Sequence, residues 1–405
     1  MKFPVSLQNP APAIGQNAHR VALLFNANKV YDREIVAGIG AYLASTRAAW
    51  DLYMEDDFRC RPQDMESWQG DGIIADFDDP DIAAALSNIR CPVVAVGSSY
   101  HEASDYPPGI PYVATDNLQL IRTAFEHLMG AGLPRFALYS MPQNPGNRWA
   151  QEREHAFQTL LLETGAEGQI HRGNATHARD WQSSQQQLIR WLQELPKPIG
   201  IIAVNDVRAR HIQQACLAAG LAVPEEIAIV GIDNDPLTRM LSRIPLSSVI
   251  QGTEEMGRTA AHLLHRLLRG GRENMPPVLV APVGMHVAAS SQHRPLSNPY
   301  VMRARHYIRQ YAAQGIKAEQ VVDHLGIARS TLDAYFRKEL GHTVHDEIMH
   351  IKLTRAQELL RERQLSCNRI AVLCGFTSLQ YMHAVFRREL GCTPREYQQS
   401  QCNSG

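Results

Sequence analysis

Along the chain, short runs of aliphatic and β-branched residues alternate with longer stretches in which apolar positions recur every three or four residues. The runs predict strands over 21–25, 72–75, 93–96, 136–139, 199–204 and 227–232. The periodic stretches predict helices such as 33–44, 118–129, 149–163 and 207–219. Strands that are apolar along their whole length, each followed by a helix, belong to parallel sheets covered on both faces. Residues 20–290 therefore read as α/β. The pattern breaks at 291–299, which is polar and proline-bearing, and beyond it every apolar period is helical. That stretch is expected to be an exposed linker that passes on movements of the first domain only through the geometry of a dimer. Residues 1–19 form a separate extension.

Parallel sheets place ligand contacts at the carboxyl ends of their strands. Those ends are polar here: Asn26, Asn28 and Asp32 after the first, Asp76 and Asp78 after the next, then Asn205 with Asp206, and Asp233 with Asn234. Turns and helix caps account for many such residues singly, but the repetition at successive ends suggests a site. No GxGxxG follows a strand and no GxxxxGK[ST] occurs, so dinucleotide and nucleoside triphosphate sites lack their phosphate cradle. A neutral, hydroxyl-rich ligand fits better. Trp149, Phe25, Phe77 and Tyr31 are candidate surfaces for the C–H face of a sugar ring, although Trp149 could equally be a packing residue.

At 405 residues the chain is too long for one hydrophobic core, and 44% hydrophobic with 20% charged residues is an ordinary globular balance. Seven cysteines without CxxC spacing argue against zinc ribbons and disulfide scaffolds. No leader-like or membrane-length apolar run occurs, so a reducing, cytoplasmic setting is expected, with no membrane partner. Charge adds something that composition alone hides. Residues 300–400 hold 15 Lys+Arg against 10 Asp+Glu, whereas the rest is acidic. A basic tail on an acidic body points to nucleic acid.

The tail, 300–400, repeats itself. Gly326-Ile327 followed by Phe336-Arg337-Lys338-Glu339-Leu340-Gly341 recurs as Gly375-Phe376 followed by Phe386-Arg387-Arg388-Glu389-Leu390-Gly391. Each copy reads as a short helix ending in glycine, a tight turn, and a second helix opened by a hydroxyl residue, Ser330 or Ser378. This is helix-turn-helix spacing, at about 318–340 and 367–390, separated by a linker helix over 344–361. The second helices should bury Leu332 and Phe336, or Met382 and Phe386. Outward positions are then Arg329, Thr331, Asp333, Ala334 and Lys338 in the first copy, and Leu379, Gln380, His383, Ala384 and Arg387 in the second. Gln380 could read adenine and Asp333 cytosine, while Arg329, Arg337, Lys338 and Arg388 suit phosphates.

These features, with Cys374-Gly375-Phe376 and Thr393-Pro394-Arg395-Glu396-Tyr397, resemble the AraC family of transcription regulators. The first part is similar to the sensing domains of LacI-type repressors and periplasmic sugar-binding proteins, through Thr115-Asp116-Asn117, Arg153-Glu154-His155-Ala156-Phe157, Ala203-Val204-Asn205-Asp206 and Gly231-Ile232-Asp233-Asn234. The resemblance implies a two-lobed, periplasmic-binding-protein-like α/β sensor followed by an all-α AraC-type domain with two helix-turn-helix units. It implies that Arg153, Asn205, Asp233 and Gln251 bind a sugar, and that the two units enter successive major-groove segments of promoter DNA. It further implies an activator responding to D-xylose or a related pentose, a homodimer, RNA polymerase as partner, and no cofactor beyond the effector.

An enzyme of the same α/β class, with the tail serving only as an interaction module, is the alternative. The HExxH and GxSxG motifs are both missing, and His262 and His265 have no obvious third ligand. Two DNA-reading units have no use in such an enzyme.

Overall fold

The computed structural model describes residues 18–55, 65, 67–271, 276–294, 296, 298–362 and 365–400. The expected extension 1–19 therefore lies almost wholly outside the described residues. Twelve strands among them make two six-stranded sheets. In chain order these are β1 His19–Leu24, β2 Trp50–Tyr53, β3 Gly72–Asp76, β4 Val93–Ser98, β5 Tyr112–Thr115, β6 Arg135–Ser140, β7 Glu167–Arg172, β8 Ile199–Ala203, β9 Ile227–Ile232, β10 Ser247–Ile250, β11 Val278–Val280 and β12 Gly284–His286. The first sheet is parallel throughout, in the order β11-β5-β4-β3-β1-β2; the second runs β12-β10-β9-β8-β6-β7 and is parallel except for β12.

Central strands such as β3, β4 and β9 are buried at every position, which is why they read as unbroken apolar runs. Helices α1 Val30–Ser45, α2 Pro80–Ala85 and α8 Thr253–Leu268 cover the first sheet; α3 Asn117–Gly130, α4 Arg148–Thr164, α5 Trp181–Glu194 and α6 Asp206–Ala219 cover the second, and the short α7 Pro236–Leu241 lies against α6 with its Leu237, Met240 and Leu241 side chains exposed. Helices α1 and α8 pack backbone to backbone: a Cβ on Gly257 would sit 1.9 Å from the Ile35 carbonyl oxygen, and one on Gly38 2.0 Å from that of Glu254. The chain crosses between lobes at 115–117, 250–253 and 280–284. Closure between the lobes must bend at these three places.

The tail holds α9 Pro299–Tyr311, α10 Ala318–Leu325, α11 Arg329–Leu340, α12 Val344–Glu362, α13 Cys367–Leu373, α14 Leu379–Leu390 and α15 Pro394–Ser400. Its two units have separate cores, one around Leu332 and Phe336 and one around Met382 and Phe386, all four fully buried as expected. Gly326 (φ +63°) and Gly375 (φ +70°) make the two turns in the left-handed region, where glycine is favoured.

The linker departs from expectation. Ser290 and Ser291 are still buried in the second sheet, His293 reaches the Pro224 carbonyl at 3.1 Å, and Asn298 already caps α9 by accepting from the Tyr300 N–H. Positions 295 and 297 lie outside the described residues. Instead of hanging free, the tail is bolted to the second lobe by α9. Glu225 of the sensor, almost wholly buried, meets Arg305 at 3.1 Å and also pairs with Arg309. Arg305 in turn donates to Glu347 on α12 at 2.7 Å, and Glu347 lies 2.7 Å from His342, in the turn that follows α11. Charges this deeply buried must be paired, and pairing them across the two domains explains why the junction is direct.

Candidate functional site

At the carboxyl ends of both sheets lies a cleft with a cavity of about 310 Å³, at the small end of the ligand-pocket range. Asn28, Asp78, Trp149, Arg153, Asn205, Asp233 and Gln251 all line it. Asn26, Asp32 and Asp206 do not, and the reason is the same for each: they hold the loops that carry the lining residues. Asp32 accepts the Asn26 N–H at 2.6 Å, and Asn26 accepts the Asn28 N–H at 3.2 Å, which shapes the turn before α1. Asp206 is fully buried and accepts from Ser248 Oγ at 2.6 Å and from the Asp235 N–H at 2.8 Å. A Cβ on Gly231 would fall 2.1 Å from Asp206 Oδ1, so glycine there makes room for this brace.

The braced turn is unusual. Asp233 (φ +111°) and Asn234 (φ +54°) both adopt positive φ, a strain that persists only where surroundings impose it. It turns the Asp233 carboxylate toward Gln251 Nε2, 2.7 Å away at the second lobe crossing. Burial raises the Asp233 carboxyl to about 6 against the pull of Arg153. Arg153, 4% exposed, donates to Asn117 at 3.2 Å and to the Val204 carbonyl, and its guanidinium lies 5.0 Å from the centre of the Trp149 ring. Trp149 thus both lines the cleft and packs on the second-lobe core. Asn205 caps α6 by accepting the Arg208 N–H at 2.9 Å while its side chain borders the cavity.

On the opposite wall, Lys29 reaches Asp76 at 2.8 Å; burial alone would lower the ammonium, but Asp76, Asp32 and Asp78 together raise it. Burial and the neighbouring Asp76 carry Asp32 to about 7. Arg148 of the second lobe crosses to the first, pairing with Asp78, donating to the Ser99 carbonyl at 3.1 Å and lying 3.8 Å over the Tyr100 ring. Lys29, Ser98 and Asp235 were not foreseen as lining residues. A sequence pattern built on apolar runs gives no weight to a lysine inside a loop. The assembled wall offers paired donors and acceptors plus one indole, a set suited to a neutral polyol. Among the described residues no cluster of three or more His, Cys, Asp or Glu side chains could hold a metal ion.

The tail presents α11 and α14. Ser378 caps α14 by accepting the Tyr381 N–H at 3.1 Å. Ser330 does not cap α11: the N-cap position is Ala328, two residues earlier, and Ser330 lies exposed within the first turn. Arg329 forms an exposed ion pair with Glu319 at 2.6 Å. Asp333 also departs from expectation, because it accepts the Val344 N–H at 3.0 Å and so caps α12. Thr331, Arg337, Lys338, Gln380, Arg387 and Arg388 are exposed, with Arg388 drawn to Glu389 at 2.6 Å. His383 and Leu379 are half-buried, Leu379 packing on the core of the second unit.

A family model of the XylR N-terminal domain matches residues 20–118, one of periplasmic-binding-protein-like domains matches 125–291, and one of helix-turn-helix domains matches 321–400. The xylose operon regulatory protein of Escherichia coli (strain K12) is 49% identical over 381 residues, covering 94% of this chain and 96% of that protein. Its namesake from Haemophilus influenzae is 44% identical, covering 94% and 98%. A solved structure described as a xylose-binding transcription activator is 46% identical with a TM-score of 0.86, covering 95% of this chain and 99% of that one. The lac repressor dimer bound to operator, 19% identical with a TM-score of 0.53, is alike in fold over 70% of this chain.

Proposed function

The chain belongs to the family of xylose operon regulatory proteins, and from that premise we propose that it is a DNA-binding transcriptional activator whose sensor takes up D-xylose. The observation that carries the reading is the conjunction of a two-lobed, polyol-sized cleft with tandem helix-turn-helix units in one chain. In the cleft, Asp233 and Gln251 accept and donate to ring hydroxyls, Arg153 and Asn205 present further planar donors, and Trp149 meets the C–H face of the ring. Asn28 and Asp78 complete the polar set. Sugar that touches both lobes favours the closed state, with Arg148 and Asp78 as a latch across the mouth.

In the tail, α11 and α14 enter successive major-groove segments of promoter DNA. Thr331, Gln380 and His383 meet base edges, and Arg337, Lys338, Arg387 and Arg388 hold phosphates. The protein acts as a homodimer in the cytoplasm, recruits RNA polymerase, needs no cofactor beyond its effector, and turns over no substrate. No described helix is long and apolar enough to cross a membrane.

Calorimetric titration of the full chain with D-xylose, D-ribose and L-arabinose tests the sensor, and binding to the promoter fragment with and without sugar tests the coupling. Saturable D-xylose binding that tightens promoter binding is expected. Sugar turnover, or promoter binding indifferent to every pentose, overturns the reading.

A further inference from the structure

Where the first two lobe crossings meet, four hydrogen-bonding side chains in a row join one lobe to the other. Tyr31 of α1 places its hydroxyl 3.2 Å from that of Thr115, the last residue of β5. Thr115 Oγ1 lies 3.4 Å from Gln251 Oε1, and at the other end of the amide Gln251 Nε2 donates to Asp233 at 2.7 Å. Thr115 and Gln251 are only 2% and 4% exposed, so their polar groups depend on one another for partners. Thr115 Oγ1 is also 3.4 Å from Met256 Sδ. A thioether is a weak acceptor, so the one hydroxyl proton of Thr115 goes to the amide oxygen, and Tyr31 donates to Thr115 in turn. Among the described residues, Thr115 is the donor that Gln251 Oε1 has. Thr115 is not among the residues that line the cleft, so whatever it does to a sugar passes through Gln251.

We propose that Thr115 is a positioning residue for the sugar site: by donating to Gln251 Oε1 it fixes which end of the amide faces Asp233, and so holds Asp233 in the form that accepts from the sugar. The proposal rests on the D-xylose reading of the cleft. A terminal amide turns about its last torsion between two nearly isosteric states of opposite hydrogen-bonding sense. With Nε2 toward Asp233 it pairs with a carboxylate. With Oε1 turned there it pairs only with a protonated carboxyl. Both states are within reach near neutrality, because burial raises Asp233 to about 6 against Arg153 of α4 and the Gln251 amide, with Glu34 of α1 and Asp235 adding to the rise. Asp206 of α6 also faces it. A donor held at the far end of the amide breaks the tie in favour of the carboxylate. Without that donor Oε1 is buried and unpaired, and it regains a partner by turning toward a protonated Asp233. Removing the Thr115 hydroxyl therefore moves the Asp233 titration upward.

The test is calorimetric titration of the full-length protein with D-xylose at pH 6.5 and pH 8, for wild type, Thr115→Val and Thr115→Ser. Alongside it, carbon-13 NMR of carboxyl-labelled aspartate follows Asp233 in the sugar-free protein, its signal identified by loss in Asp233→Asn. Thr115→Val keeps the shape and should raise the Asp233 titration by about one unit, which weakens D-xylose about threefold at pH 6.5 and hardly at all at pH 8. Thr115→Ser keeps the hydroxyl and should restore both the titration and the affinity. Wild-type affinity at both pH values in Thr115→Val, or an equal loss at both with an unmoved titration, overturns the proposal. So does a Thr115→Ser protein that behaves like the valine variant. D-xylose binding at pH 8 shows that a variant is folded, and Thr115→Ala, which also lacks the hydroxyl, gives the same readout if valine is not accommodated. Wild-type protein that binds no D-xylose overturns the reading of the cleft instead, while the Asp233 signal of the sugar-free variants still decides what Thr115 does.

Discussion

Glu225 of the sensor and Arg305 of the tail meet at 3.1 Å with side chains only 1% and 13% exposed, so the two domains share a buried ion pair. With Arg309 on the same carboxylate and Glu347 beyond Arg305, the contact runs from the sensor lobe to the end of the first DNA-binding unit. Glu225→Gln leaves Arg309 without its carboxylate and Arg305 with Glu347 alone. It should cost about 3–5 kcal/mol in thermal or denaturant unfolding and uncouple D-xylose from promoter binding. A flexible insert after Arg294 should leave most of that coupling in place. Coupling that disappears with the insert yet survives Glu225→Gln would restore transmission through dimer geometry alone.

The sugar contacts separate into two kinds. Asp233→Ala should cost about 1–3 kcal/mol of D-xylose affinity by calorimetry without destabilising the fold near pH 7, because it removes a cleft acceptor whose ionised form burial disfavours. Arg153→Ala should lose both affinity and stability, since its guanidinium also holds Asn117 and the Val204 carbonyl. An Arg153 variant with wild-type melting behaviour contradicts that assignment.

The raised carboxyls set a pH dependence. Asp32 and Asp233 titrate at about 7 and about 6 when folded, against an ordinary value of 3.8, so the folded chain holds protons that the unfolded chain has lost. Their contribution to stability is therefore present in full below pH 4 and fades as pH rises toward 7, by on the order of 4 kcal/mol for Asp32 and 3 kcal/mol for Asp233. Melting temperatures of the sugar-free protein between pH 4 and 8 should show the decline, and Asp32→Asn should flatten it. Affinity for D-xylose should move the other way, rising from pH 5 to 7 as Asp233 ionises into a better acceptor.

On DNA, Gln380 and Arg388 should part company. Gln380→Ala should weaken the promoter site more than random duplex, by about 1–3 kcal/mol. Arg388→Ala should weaken both alike and lower the salt slope by about one. Equal losses on both DNAs for Gln380→Ala would show that it reads no base.

The α1–α8 contact is the most sterically constrained in the sensor. Gly257→Ala should destabilise the domain by about 1–3 kcal/mol or more, because the new methyl cannot be placed without separating the helices. An unchanged melting temperature contradicts that packing.

Legibility in the sequence followed burial. Strands covered on both faces, such as β3 and β9, were readable as apolar runs, whereas β7, Glu-Gly-Gln-Ile-His-Arg at a sheet edge, carries no such signal. The three-residue strands β11 and β12 are too short for any period to show. Polar strand ends pointed to the cleft but not to the division of labour within it. Asp206 and Asp233 look equivalent as sequence, and only the positive φ at 233 and the serine behind 206 separate ligand from brace. Ser330 and Ser378 look alike as helix openers, yet with Phe336 and Phe386 in register Ser378 matches Ala328, so α11 and α14 start at matching places and only α14 has a hydroxyl at its cap. The tail's attachment was hidden for a similar reason, since Glu225, Arg305 and Arg309 look like ordinary surface charges until the fold buries them together.

The two turn glycines of the tail are not equivalent. Around Gly326 there is open space, whereas a Cβ on Gly375 would lie 2.5 Å from the Ala312 carbonyl oxygen, in the turn that ends α9, and Lys352 of α12 donates to the Gly375 carbonyl at 2.8 Å. The second unit is therefore clamped to the same helix that docks on the sensor, and the tail behaves as a caliper of fixed opening. For a promoter this sets a rule of phase. The two sub-sites must lie at one separation on one face of the duplex, and inserting half a helical turn between them disables the promoter even with every contacted base intact.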